Sequence, residues 1–114
     1  SKVSLIDKKL EDGEFSFKIT DISSGSSKGY TETVKNNKDG EISFKTINYK
    51  VPGTYKYEIR QVKGTSNHIY YDLDKIVLTL ELTDNGDGTM KVLDSYEYFG
   101  SEEYFVNRYS KGLP

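Results

Sequence analysis

The chain has 114 residues, with 16 basic and 18 acidic side chains, and it contains no cysteine, tryptophan or alanine. This length fits one domain, and the lack of cysteine excludes disulfides and thiolate chemistry. The net charge of −2 at pH 7 argues against a phosphate-binding face, so no nucleic-acid partner is expected. No stretch approaches the roughly 18 consecutive apolar residues of a membrane helix, so no membrane partner is expected for this fragment.

The residue types favour strands. Val, Ile, Tyr, Phe and Thr together supply 39 residues, and these types suit a pleated, half-buried surface. Alanine, the best helix former, is missing. An all-helical protein is therefore excluded.

Apolar residues alternate with polar ones in several stretches, starting with Phe15, Phe17 and Ile19. Period-two alternation indicates strands with one dry and one wet face. Asp-Gly and Pro-Gly pairs mark turns between these stretches, and residues 23–28 form a predicted exposed loop. The pattern predicts an all-β, immunoglobulin-like β-sandwich of seven to nine strands in one domain. Strands are predicted near 2–7, 14–21, 30–34, 41–47, 54–62, 74–84, 89–97 and 103–109.

Few residues suggest chemistry. The run Asp84–Gly88 superficially resembles a calcium loop, but glycines stand at its third and fifth positions, where ligands are needed. A hairpin turn is the better interpretation. His68 is the only histidine, and no nucleophile motif accompanies it. We therefore expect no enzymatic activity, no cofactor and no metal site.

The ten tyrosines allow two interpretations. Tyrosine combines apolar area with a polar tip, so clusters such as Tyr70-Tyr71 and Tyr96-x-Tyr98 suit a recognition face. The same rings could simply close the edges of the sandwich. Alternation places Tyr55 and Tyr57 inside.

Six short motifs follow one another along the chain, and in order they are Gly13–Phe17, Asp39–Phe44, Pro52–Ile59, Ile69–Asp72, Leu82–Thr89 and Phe105–Tyr109. This ordered set resembles the streptococcal-type pilin (FctA-like) isopeptide domain, a relative of the Cna protein B-type domains of Gram-positive surface proteins. The resemblance covers almost the whole chain. It implies an immunoglobulin-like sandwich in a secreted, cell-wall-attached pilus or adhesin stalk, with other pilin subunits and sortase as partners.

The resemblance also implies an amide cross-link between a lysine on the first strand and an asparagine on the last, assisted by a glutamate. A buried amine loses its charge and attacks the asparagine carbonyl, while a carboxyl group shuttles protons as ammonia leaves. Asn107 matches the acceptor. The donor stays open between Lys2, which has the better spacing, and Lys8, which has a strand before it. Gln61 occupies the position of the glutamate, and because an amide cannot shuttle protons, we expect the bond to be absent or inefficient.

Two functions follow from the resemblance. The first is a structural subunit or stalk domain, covering residues 1–109, of a sortase-assembled surface pilus. In this case residues 110–114 are a tail whose Leu113-Pro114 begins a sortase signal. The alternative is an adhesin domain that binds a host-surface protein or glycan.

Overall fold

The computed structural model describes residues 1–23, 30–45, 49–100 and 104–112. In these ranges it contains eight strands and no helix, so no described helix is available to span a membrane. This confirms the predicted all-β immunoglobulin-like sandwich. The strands are β1 (Val3–Ile6), β2 (Ser16–Asp21), β3 (Thr31–Lys35), β4 (Gly53–Gln61), β5 (Ile69–Tyr70), β6 (Lys75–Asp84), β7 (Met90–Tyr98) and β8 (Phe105–Tyr109).

The strands form two sheets. The smaller sheet has the order β1-β8-β5, and the larger has the order β3-β2-β4-β6-β7. The first and last strands, β1 and β8, are parallel neighbours, whereas all other pairs of the described strands are antiparallel. A parallel pair needs a long crossover connection, and here the rest of the domain supplies it. The two ends of the described domain therefore meet in one sheet.

The core lies between the two sheets and follows the predicted alternation. Phe17 and Ile19 of β2 and Tyr57 and Ile59 of β4 are buried, with exposed fractions of 6% or less. The Phe17 ring lies 5.2 Å from the ring of Phe105 on β8, so this pair joins one sheet to the other.

The predicted strand at 41–47 is wrong for the residues that the structure describes there. Only Glu41 makes a β-bridge, with Lys2, and residues 42–45 belong to no strand. Residues 46–48 lie outside the described residues, as does most of the predicted 23–28 loop. Ile42 is nevertheless buried and Phe44 packs against the core, because inward packing of alternate side chains does not require a continuous partner strand.

The segment between β6 and β7 is a hairpin turn, as predicted. Its carboxylates accept hydrogen bonds from the turn itself: Gly86 N donates to Asp84 Oδ1 (2.7 Å) and Thr89 N donates to Asp87 Oδ1 (3.0 Å). Gly86 has a φ of 82°, which favours glycine. In the described part of the chain, no group of three or more acidic, histidine or cysteine side chains is placed to hold a metal.

Candidate functional site

Asn107 and Gln61 form a buried amide pair. β8 carries Asn107, which is fully buried, and the last residue of β4 is Gln61, which is 5% exposed. Gln61 Nε2 donates to Asn107 Oδ1 (2.8 Å), and Asn107 Nδ2 donates to Gln61 Oε1 (2.9 Å). The two side chains thus exchange both hydrogen bonds across the interior and tie the smaller sheet to the larger one.

Asp72 holds the backbone around this pair. Its own N–H donates to Asn107 Oδ1 (3.0 Å), and its Oδ2 accepts from Val106 N (2.9 Å). Its second oxygen, Oδ1, accepts from Asp74 N (2.9 Å). Asp72 therefore fixes both the orientation of the Asn107 carbonyl and the path of β8. The sequence contained no chemical signal for this role, because an aspartate after two tyrosines resembles an ordinary turn residue.

Aromatic rings surround the amide pair. Phe17 lies opposite Gln61 in the β2–β4 register, and Phe105 precedes Asn107 by two residues on the inward face of β8. Phe17 and Phe105 are 0% and 1% exposed. A buried polar group costs free energy unless it is hydrogen-bonded, so the reciprocal pairing is what makes an amide tolerable at this depth.

The inward face of β1 offers no amine to Asn107. In the parallel register, Leu5 lies beside Asn107 and Val3 beside Phe105. Val3 is 4% exposed and Leu5 packs against the core. The position next to the asparagine side chain is therefore aliphatic. The sequence alone did not identify Leu5, because the register between β1 and β8 depends on the whole intervening domain.

The two candidate lysines lie elsewhere. Lys2 is exposed and precedes the buried Val3, so strand alternation turns its side chain to the outer face. β1 ends at Ile6, and Asp7 then adopts a left-handed φ of 69°, which breaks the alternation that would place Lys8 on the face of Ile6. Lys8 Nζ lies 3.6 Å from Glu14 Oε1 in a partly exposed ion pair. Neither lysine hydrogen-bonds to Asn107, whose side chain bonds to Gln61 and Asp72.

The carboxylate nearest to Gln61 along β4 is on the other face. Glu58 points away from Ile59 and Gln61, is half-buried, and forms an ion pair with Arg60. Gln61 is neutral and cannot exchange protons in the physiological range. Among the described residues, the Asn107 side chain hydrogen-bonds to the Gln61 amide and to the Asp72 N–H, and no lysine or carboxylate hydrogen-bonds to it.

A second buried polar cluster consists of tyrosines. The hydroxyl groups of Tyr49 and Tyr57 are hydrogen-bonded to each other, and Tyr30 Oη donates to Glu32 Oε1 (2.8 Å). Burial raises the pKa of the Tyr57 phenol, and the bond to Tyr49 adds to the effect. Burial, and to a smaller extent the hydrogen bond to Glu32, raises the pKa of Tyr30 to about 12. All three rings line a half-open cavity of about 280 Å³.

The remaining tyrosines divide between interior and surface. Tyr55 and Tyr71 are half-buried and pack against the core, and Tyr109 is also half-buried. The exposed tyrosines are Tyr70, Tyr96, Tyr98 and Tyr104. His68 is half-buried at the start of β5, where its Nδ1 lies 3.2 Å from the Ser110 carbonyl oxygen. No described nucleophile hydrogen-bonds to its ring.

The paired terminal strands, the two-sheet core and the buried asparagine define a pilin-type β-sandwich. The family model described as FctA, the Spy0128-like isopeptide containing domain, matches residues 2–110. The chain belongs to this family.

Solved structures show the same fold. The major pilin from Streptococcus pyogenes matches with a TM-score of 0.54 at 14% identity, covering 95% of this chain and 48% of the pilin. An Asn-to-Ala mutant and a Glu-to-Ala mutant of that pilin each match with a TM-score of 0.56 and the same coverages, at 13% and 14% identity. This chain thus spans about half the length of those structures. Curated proteins gave no match.

Proposed function

We propose that this chain is a structural domain of a Gram-positive surface pilus or stalk in which a hydrogen-bonded amide pair replaces the isopeptide cross-link. Family membership supports the pilus setting. The observation that carries the rest is the reciprocal Gln61–Asn107 pair together with the aliphatic residue, Leu5, beside Asn107.

The chemistry of the bond explains why this site would not form it. Condensation joins a lysine Nζ to the asparagine Cγ and expels ammonia, with a carboxyl group moving the protons. Leu5 has no side-chain nitrogen to attack, and the Gln61 amide cannot take up and release a proton as a carboxyl group does. Asn107 instead keeps its amide nitrogen, which donates to Gln61.

Intact-mass measurement of the folded chain tests this proposal directly. The expected mass is that of the sequence, with no loss of ammonia. Peptide mapping should recover Asn107 in an unlinked peptide, and Asn107→Ala serves as the matched control that cannot form the bond. Loss of one ammonia from the unmodified chain but not from the control would overturn the proposal.

The surface setting has its own test. Sortase-assembled subunits form covalent polymers that survive boiling in detergent, so antibodies to this domain should detect such a ladder on the bacterium that encodes it. Deleting the sortase gene should abolish the ladder. A protein that remains monomeric in wild-type cell-wall extracts would contradict assembly by sortase. The Leu113-Pro114 pair, which we interpret as the start of a sortase signal, lies outside the described residues.

The exposed aromatic residues on β7 favour the alternative function of ligand binding. Tyr96 and Tyr98 stack with their ring centroids 6.2 Å apart, and both are exposed. Aromatic faces of this kind recognise sugars and proteins. Binding of the isolated domain to a glycan array or to host matrix proteins, lost on Tyr96→Ser, would support the adhesin function.

A further inference from the structure

The outer edge of the larger sheet is formed by β7, and no described strand pairs with that edge. β7 has nine residues, and all of them except Met90 are exposed. Its pairing with β6 runs without a bulge from Ile76–Tyr98 to Asp84–Met90, and it contains no proline or glycine. Natural edge strands are usually kept short, interrupted by bulges or prolines, or protected by charged side chains. Of these protections β7 has only its three charged residues, Lys91, Asp94 and Glu97.

Large apolar side chains are exposed along this edge. Val92 and Leu93 are 57% and 54% exposed, and Tyr96 is 42% exposed. Val92 and Tyr96 lie on the same face of β7, opposite Leu82 and Leu78 of β6. An exposed apolar strip beside an open backbone edge indicates an interaction surface.

The free backbone groups of β7 belong to alternate residues. Phe99 N donates to Lys75 O (3.1 Å), so residues of odd number in β7 turn their backbone groups towards β6. Antiparallel pairing alternates between hydrogen-bonded and non-hydrogen-bonded residues. The even-numbered residues therefore direct their N–H and C=O groups outwards, and these residues are Met90, Val92, Asp94, Tyr96 and Tyr98.

We propose that two copies of this chain associate through their β7 strands, which pair antiparallel about a two-fold axis at Asp94 to form one continuous sheet. Such a contact between two subunits is non-covalent, and it rests on the proposed function only for its biological setting. An antiparallel pair of identical strands is isologous. Centring it on Asp94 gives β7 its complete overlap with itself.

The charges of β7 are self-complementary in this register. Lys91 lies opposite Glu97 of the other copy, and symmetry repeats the ion pair on the other side of the axis. Val92 lies opposite Tyr96 of the other copy, which is a favourable β-branched–aromatic pair. The even-numbered residues face each other and exchange their free backbone hydrogen bonds.

Asp94 limits the strength of the contact. At the two-fold axis it faces its own copy, and like charges placed directly opposite each other destabilise a sheet. The dimer is therefore reversible and depends on concentration. An unrelated extended peptide does not in general carry an acidic residue opposite Lys91 and a basic residue opposite Glu97. The second copy carries both, so it is the favoured occupant.

Sedimentation equilibrium of the chain and three charge variants tests the register. Lys91→Glu and Glu97→Lys each turn two attractive pairs into two repulsive ones, so each should raise the dimer dissociation constant about tenfold or more. The double variant Lys91→Glu/Glu97→Lys restores opposite charges and should return the constant to about its original value. Both positions are on an exposed strand, and far-ultraviolet circular dichroism checks that the fold is kept.

Cysteine cross-linking locates the axis, because the chain has no cysteine of its own. Asp94→Cys places two thiols on directly opposed residues, about 5.5 Å apart between Cα atoms, which a disulfide can span. Mild oxidation should link this variant into a dimer. The matched control is Thr65→Cys, in the exposed segment between β4 and β5, neither of which neighbours β7, and it should stay monomeric under the same conditions.

The dimer contact is supported if each single charge reversal weakens association, the double reversal rescues it and position 94 cross-links. A chain that stays monomeric at millimolar concentration overturns the proposal and leaves the β7 edge to a different partner. A dimer whose dissociation constant is unchanged in the charge variants also overturns it, since association then uses another surface. None of these results alters the intact mass or the surface ladder, so failure here is distinguishable from failure of the proposed function.

Discussion

The polar groups of the Gln61–Asn107 pair are hydrogen-bonded within the chain, whereas alternate backbone groups of the β7 edge have no partner among the described strands. Both regions contain polar groups next to large apolar side chains. Inside the sandwich, the two amides satisfy each other, and Asn107 is fully buried. At β7, alternate backbone groups point out of the sheet edge, and the Val92 and Tyr96 side chains are 57% and 42% exposed. The interior pair therefore contributes to stability, whereas the edge is suited to association.

Introducing the residues that the cross-link needs should have the largest effect on stability. Leu5→Lys alone should destabilise the fold by about 3 kcal/mol, because it replaces a half-buried leucine that packs against the core with an ammonium group. Adding Gln61→Glu supplies the carboxyl, and the double variant should lose one ammonia and gain about 4 kcal/mol over Leu5→Lys, by analogy with a disulfide closing a loop of similar length. Intact mass and urea unfolding measure the two effects. A double variant no more stable than Leu5→Lys would contradict our assignment of the donor position.

Removing one partner of the amide pair should have the next largest effect on stability. Asn107→Ala leaves the Gln61 amide and the Asp72 N–H without their partner and opens a small cavity, so we expect a loss of about 3 kcal/mol. Urea unfolding gives the value. The matched control is Gln61→Leu/Asn107→Leu, which removes both amides and should cost less than the single change. If Asn107→Ala costs under about 1 kcal/mol, the pair is not the main polar tie between the sheets.

High pH should weaken the tyrosine cluster while leaving the amide pair unaffected. Tyr57 and Tyr30 have a pKa above the ordinary value of 10.0 in the folded chain. The two tyrosines therefore add to the free energy of unfolding in full below about pH 10. This contribution is lost as the pH rises towards 12, because the unfolded chain releases these protons first. By pH 11 the loss from Tyr57 should be about 1 kcal/mol. Urea midpoints from pH 8 to 11 measure it, and Tyr57→Phe should flatten the curve.

The smallest expected effects are at the two lysines considered as donors. Lys2→Ala and Lys8→Ala should each change stability by less than about 0.5 kcal/mol, because Lys2 is exposed and a partly exposed ion pair such as Lys8–Glu14 contributes little. The same variants should have the mass of their sequences. A loss of several kcal/mol from either one would indicate a covalent role for that lysine and would reverse the interpretation of Leu5.

Local pattern predicted most of the fold. Alternation around Phe17 and Ile59 gave the correct inward faces, and the Asp84–Gly88 turn gave the correct hairpin. The short strand β5 has only two residues, too few for a period to be visible. The stretch after Glu41 alternates like a strand but has no continuing partner in the described residues, and pairing is a tertiary property that alternation alone does not contain.

The site was predictable in part. The acceptor Asn107 and the substitution at Gln61 are visible in the motifs, and a buried amide needs a hydrogen-bonding partner. Leu5 and Asp72 were not predictable, since their roles depend on the β1–β8 register and on the backbone geometry near β8. The roles of Leu5 and Asp72 exist only once distant segments of the chain have packed together.

The parallel pairing of β1 with β8 has a mechanical consequence. The outer ends of the two strands, near Val3 and Tyr109, lie at opposite ends of the shared ladder. Tension on these ends slides one strand along the other and loads the ladder in shear, so its hydrogen bonds must rupture together. If the cross-link is absent, as we propose, rupture releases the intervening chain, which extends to roughly 350 Å. The domain would then act as a reserve of length that gives way only under high force.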